Sequence, residues 1–99
     1  MASGIQSKSI SPVDLIEAHL RRIELLNPEL NAVVTLNPSA LDEARQAERI
    51  LKSGNPVGPL HGVPFTIKDC VDTRGIRTTR GSRIFANHIP GEDLSLIHI

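Results

Sequence analysis

Lys68 is the residue of this 99-residue chain whose type and setting best fit chemistry. It closes the run Gly62 to Asp69 (GVPFTIKD). Along a strand, Val63, Phe65 and Ile67 would face one way there, and Pro64, Thr66 and Lys68 the other. Strand ends are where α/β proteins gather functional groups. A lysine held dry at such a place loses part of its preference for the ammonium form; its pKa falls and it can act as a general base. The plain alternative is that Lys68 reaches to water or pairs with Asp69 or Asp72. On Ile67-Lys68-Asp69 alone the plain alternative outweighs catalysis, because lysines at strand ends are common.

Other reactive types are less well placed. Cys70 adjoins Lys68-Asp69, and a lysine neighbour can lower a thiol pKa. No cysteine–histidine pairing accompanies it, so an inert thiol is expected. His19, His61, His88 and His98 lack metal-ligand spacing and have no second cysteine beside them, which argues against a metal site. Arg74, Arg77, Arg80 and Arg83 could form a basic rim for a carboxylate or phosphate. A solvated or ion-paired loop face is the simpler account of them, and without interleaved aromatics they do not describe a nucleic-acid surface.

The elements that must position these groups are legible in part. Ser11-Pro12-Val13-Asp14 sets a capping hydroxyl before a first-turn proline, with a carboxylate three residues on. Val13, Ile16, Leu20 and Ile23 then recur at helical spacing, and Asn27-Pro28 is expected to end that helix. Leu30 to Leu36 (LNAVVTL) is short and β-branched and predicts a strand. Ser39 is expected to cap a second helix with Asp42 in its first turn and Ala40, Ala44, Ala47 and Leu51 on one face. Lys52-Ser53-Gly54 marks its end. Asn55 to His61 is a proline-glycine connector, Gly62 to Asp69 the second predicted strand, and Val71 to Arg83 a loop around a weak strand. Helix, strand, helix, strand predicts an α/β protein.

Composition narrows the function classes. Eleven basic residues balance eleven acidic ones, so no global field draws nucleic acid or an anionic membrane. Aromatic residues make up 2% of the chain, which predicts a thin core completed by packing against something else. Residues 1–11 carry no signal-peptide pattern, and no apolar run reaches the length of a membrane span. The single cysteine fits a reducing compartment, and a cytoplasmic location is the expectation.

Longer segments point further. Gly58-Pro59-Leu60-His61-Gly62-Val63-Pro64-Phe65-Thr66-Ile67-Lys68-Asp69 resembles the lysine segment of the amidase signature family, roughly G-P-L-x-G-[IV]-P-x-x-[IV]-K-D. Gly75-Ile76-Arg77-Thr78-Thr79-Arg80-Gly81-Ser82 is similar to the stretch that follows it in that family. Upstream, the Ser-Pro-capped helix, the N-A-V-V-T segment and the Ala-rich second helix occur in the matching order, so the resemblance covers about residues 3–93. It implies the N-terminal portion of an amidase domain over residues 1–93. That domain would be an α/β/α sandwich with a mixed central sheet, incomplete in this chain.

The resemblance also implies a mechanism. Members use a lysine, a serine in a cis peptide bond and a nucleophilic serine as a Ser-Ser-Lys relay that hydrolyses a carboxamide. Only Lys68 carries over as a catalytic residue. The serines belong to a Gly-Ser-rich stretch downstream, a setting shared by none of Ser3, Ser7, Ser9, Ser11, Ser39, Ser53, Ser82 and Ser95. For Ser82 a turn-hydroxyl role is expected. The implied substrate is a small-molecule amide, with no cofactor, no metal, no membrane and no direct contact with nucleic acid; a homodimer is left open for the full-length protein. Two alternatives stand beside this. One is the A subunit of a tRNA-dependent amidotransferase, against which Gly81-Ser82 weighs modestly. The other is a non-enzymatic helical interaction module. The ending Leu94-Ser95-Leu96-Ile97-His98-Ile99 departs from the family pattern, and 94–99 is expected to be an aberrant tail left by truncation.

Overall fold

The computed structural model describes residues 1–95. Its helices are α1 (Ala2–Gln6), α2 (Pro12–Leu30) and α3 (Ala40–Lys52), and a 3-10 turn follows at Arg83–Phe85. The chain divides into two compact units. The first joins Met1–Val33 to Pro38–Phe65; the second joins Val34–Asn37 to the residues from Thr66 onward.

In the first unit, α2 starts as the sequence dictates. Ser11 takes an extended backbone at the N-cap, its hydroxyl accepts the Asp14 N–H at 3.3 Å, and Pro12 occupies the first turn. The end of α2 differs from expectation. The helix passes through Pro28 and stops at Leu30 rather than at Asn27. Two groups close the helix just beyond the proline. Asn31 adopts a left-handed conformation (φ 50°), and its N–H reaches the Asn27 carbonyl at 2.7 Å. The Asn27 side chain then clasps Val33, donating to its carbonyl and accepting its N–H, both at 2.8 Å.

That clasp also explains why the strand predicted over residues 30–36 is not formed. Both backbone polar groups of Val33 are occupied by a side chain and cannot join a ladder. The second predicted strand, Gly62 to Asp69, has no neighbour to pair with; its backbone between Val63 and Lys68 takes no regular form. Among the described residues no strand occurs, and the isolated antiparallel bridge Thr73–Ile76 is what the loop region supplies. The expected sheet is therefore not realised in residues 1–95.

The helix α3 follows its sequence signals closely. Ser39 occupies the N-cap position but makes no side-chain capping hydrogen bond; Asp42 and Glu43 lie in the first turn, and Arg49 and Lys52 lie in the last, complementing the helix dipole. The helices α2 and α3 pack together. Ser11 ties their ends by donating to Glu48 Oε1 at 2.6 Å, and Lys52 lies 3.5 Å from Glu48 Oε2. The Ser11 hydroxyl first, and the Lys52 charge behind it, hold the Glu48 carboxyl below its ordinary range. His61 Nε2 sits 2.8 Å from the Ala47 carbonyl; a carbonyl only accepts, so Nε2 carries the proton.

The buried apolar set among the described residues is small: Ile5, Pro12, Leu51 and Pro90. Leu25, Leu60, Phe65 and Ile84 are largely exposed. The thin core expected from an aromatic-poor chain is what the structure has. No helix among the described residues is long and apolar enough to cross a membrane.

Candidate functional site

Lys68 belongs to the second unit and ends the irregular segment that follows Gly62. Its carbonyl accepts the Val71 N–H at 3.0 Å, which closes a turn over Asp69 and Cys70. Its side chain is exposed, so the desolvation expected of a lysine at a buried strand end is not present in residues 1–95. The ion pairs of the plain alternative are not formed either, because Asp69 and Asp72 are engaged elsewhere.

Asp69 is the best-held carboxylate of this unit. One oxygen accepts the Thr79 N–H at 2.8 Å and the other accepts the Thr79 hydroxyl in a very short bond. Its backbone carbonyl accepts the Arg80 N–H at 2.8 Å. Hydrogen bonds from the Thr79 hydroxyl and N–H, helped by the Gly81 N–H and the Arg77 charge, pull the Asp69 carboxyl below its ordinary range against a smaller opposing effect of burial. Thr78 and Thr79 are both buried. The Thr79 oxygen is also an acceptor, taking the Gly81 N–H at 3.3 Å. Arg80 and Gly81 both lie in the left-handed region (φ 53° and 65°), and this pair of turns brings the Gly81 amide back over the threonine.

A second cluster lies beside the first. Arg80 pairs with Asp72 at 2.8 Å and lies over the Phe85 ring, 5.0 Å from its centre. His88 Nε2 lies 3.8 Å from the other Asp72 oxygen and packs edge-on to Phe85. Arg77 donates to the carbonyls of Ala86 and Val34 at 3.0 and 3.1 Å. The arginine run is therefore partly an ion-paired, carbonyl-bound loop face, with Arg74 and Arg83 exposed. Ser82 has the turn role the sequence indicated: it caps the 3-10 turn by accepting the Ile84 N–H at 3.2 Å.

Cys70 is an exposed free thiol. It lies in a turn rather than on a strand, so alternation of strand faces does not govern its neighbours. His19 Nδ1 lies 2.8 Å from the Leu15 carbonyl, and the described residues contain no group of three or more metal-ligating side chains. His98 and positions 96–99 of the expected tail lie outside the described residues.

The turn role of Ser82 was legible in the sequence, whereas Lys68 was expected at a strand end and lies at a turn, and the latch between Asp69 and Thr79 was missed. The available signal was the pair Thr78-Thr79 ten residues after an aspartate. Threonine offers both a backbone and a side-chain donor to one carboxylate.

The family model described as Amidase matches residues 14–98. The chain is 40% identical over 97 residues to the A subunit of the glutamyl-tRNA(Gln) amidotransferase of Bdellovibrio bacteriovorus, covering 98% of this chain and 20% of that protein. It is 47% identical over 88 residues to the protein of the same name from Granulibacter bethesdensis, covering 88% and 17% respectively. It is 38% identical over 90 residues to an acylamidase of Rhodococcus erythropolis, covering 90% and 19%. The chain thus spans about a fifth of the length of these curated relatives.

Proposed function

Because this chain belongs to the amidase family, we propose that it is the lysine-bearing part of an enzyme that hydrolyses a carboxamide to a carboxylate and ammonia or an amine. Lys68 is the proton acceptor in this reading. The observation that carries it is the family match over residues 14–98, which contains the whole motif from Gly58 to Asp69.

The chemistry follows from what an amine can do when uncharged. Lys68 takes a proton from a bridging serine, which takes one from a nucleophilic serine; both serines come from residues beyond this chain. The nucleophile's oxygen bonds to the amide carbon, the C–N bond breaks, and the nitrogen leaves with a proton. Water then splits the ester, releasing the carboxylate and restoring the serine. Lys68 is exposed in residues 1–95, so in this reading the remainder of the longer protein covers it. The α/β/α sandwich with a mixed sheet and a cytoplasmic location belong to the same proposal.

A second reading is the A subunit of a tRNA-dependent amidotransferase, in which the amide is that of glutamine. The relatives at 40% and 47% identity that bear this name favour it. Gly81-Ser82 does not weigh against it on physical grounds, since the Ser82 hydroxyl caps a turn. Ammonia release by the complete gene product separates the two: small aliphatic and aryl amides test the first, glutamine with the other amidotransferase subunits the second. In whichever assay responds, Lys68→Ala is expected to abolish turnover while the circular dichroism spectrum stays as in the parent. Turnover retained by that variant ends the assignment.

A further inference from the structure

Lys68 has no ion-pair partner among the described residues, and no sheet fixes it. A general base nonetheless needs a defined origin, since a displacement of about 1 Å costs about a hundredfold in rate. The restraints at this position come from the C-terminal side. The Lys68 carbonyl is bonded to Val71 N–H at 3.0 Å, and the Asp69 carbonyl to Arg80 N–H at 2.8 Å. The Asp69 carboxylate takes both donors of Thr79. Thr79 is buried, and its oxygen is fixed in turn by the Gly81 N–H at 3.3 Å.

We propose that Thr79, acting through Asp69, is a positioning residue for Lys68: the hydroxyl and amide of Thr79 lock the carboxylate of the next residue and so set the direction in which the lysine leaves the chain. The proposal rests on the reading of Lys68 as proton acceptor. Charge-assisted bonds suit this role because they are short and strongly directional. They also satisfy the Asp69 charge locally.

The test uses the complete gene product and the amide it hydrolyses. Thr79→Val keeps the shape of the side chain and removes the hydroxyl. It is expected to lower kcat per folded molecule between about tenfold and a hundredfold, with KM changed less than about twofold. Thr79→Ser, which retains the hydroxyl, is expected to recover kcat to within about twofold of the parent. Asp69→Asn should fall with Thr79→Val, and serves as the second variant should the valine protein not fold. A purely structural latch would instead reduce the folded fraction and leave kcat per folded molecule unaltered, which overturns the proposal. So does Asp69→Asn at parental kcat while Lys68→Ala is inactive. Activity in Lys68→Ala is a different result: it removes the lysine reading, and this one with it.

Discussion

Gly62 lies in the middle of the lysine motif, and a single methyl there should be felt throughout the first unit. Its φ is +77°, a left-handed conformation that costs an L-residue about 1–2 kcal/mol. A Cβ at this position would sit 2.9 Å from Pro12 Cγ and 3.3 Å from both Pro12 Cβ and Ile5 Cγ2. Those are the two largest fully buried side chains. A proline ring cannot rotate away, so the overlap is relieved only by moving α1 or the start of α2, and overpacking of this kind costs about 1–3 kcal/mol. Stiffening of the unfolded chain returns about 0.4–1 kcal/mol. The net loss for Gly62→Ala is therefore about 1–4.5 kcal/mol. Gly58→Ala is the control from the same motif: nothing lies within 4 Å of its Cβ and its φ is not left-handed. That change is expected to be neutral or stabilising by up to about 1 kcal/mol. Urea unfolding of the complete gene product, followed by circular dichroism, measures both. If Gly62→Ala stays within about 0.5 kcal/mol of the parent, the close packing of Gly62 on Pro12 and Ile5 is refuted.

Two further predictions concern the second unit and the chain alone. Asp69 has a folded-state pKa below its ordinary value of 3.8. The linked stability is fully present above the ordinary value and is lost as pH falls through the lowered one. Carbon NMR of the Asp69 carboxyl should show the low titration and its rise in Thr79→Val; an ordinary or raised value in the parent contradicts the latch. The isolated 99-residue chain, whose described buried apolar residues are few, should melt without a cooperative transition by circular dichroism. A sharp reversible transition would favour the self-sufficient helical module instead.

What the sequence made legible was whatever a few neighbouring residues determine. Ser11-Pro12 fixed the start of α2 because the cap and its acceptor are three residues apart. The charges of α3 announced its polarity, and Ser82 announced a turn. The end of α2 was misread because Asn27-Pro28 reads as a stop, whereas the helix runs through Pro28 to Leu30 and the Asn27 side chain closes on Val33 six residues away. Both predicted strands failed for a related reason. Pattern can show that a segment suits a sheet, but not whether its hydrogen-bonding groups find a partner strand or a side chain. The candidate site was half visible. Lys68 stood out by motif, while Thr79, ten residues on from Asp69, came into view only when the backbone doubled back at Arg80 and Gly81.

Orientation and covering of Lys68 are then separate problems with separate solutions. Orientation is local: a turn and a carboxylate latch restrain residues 68–69 without help from a sheet. Covering is not, because the Lys68 side chain is exposed in residues 1–95. The order matters energetically. Burying an unsatisfied carboxylate beside the lysine would cost several kcal/mol, roughly the effective penalty for one buried ion. Asp69 already has both oxygens bonded, so a longer chain could cover Lys68 without first finding partners for its neighbour. A covering surface added without the latch should therefore bury Lys68 less readily. In the complete gene product, Thr79→Val should leave the amine of Lys68 more open to acylating reagents than in the parent. Equal labelling of the two proteins would mean that burial of the lysine does not depend on the bonds Thr79 makes.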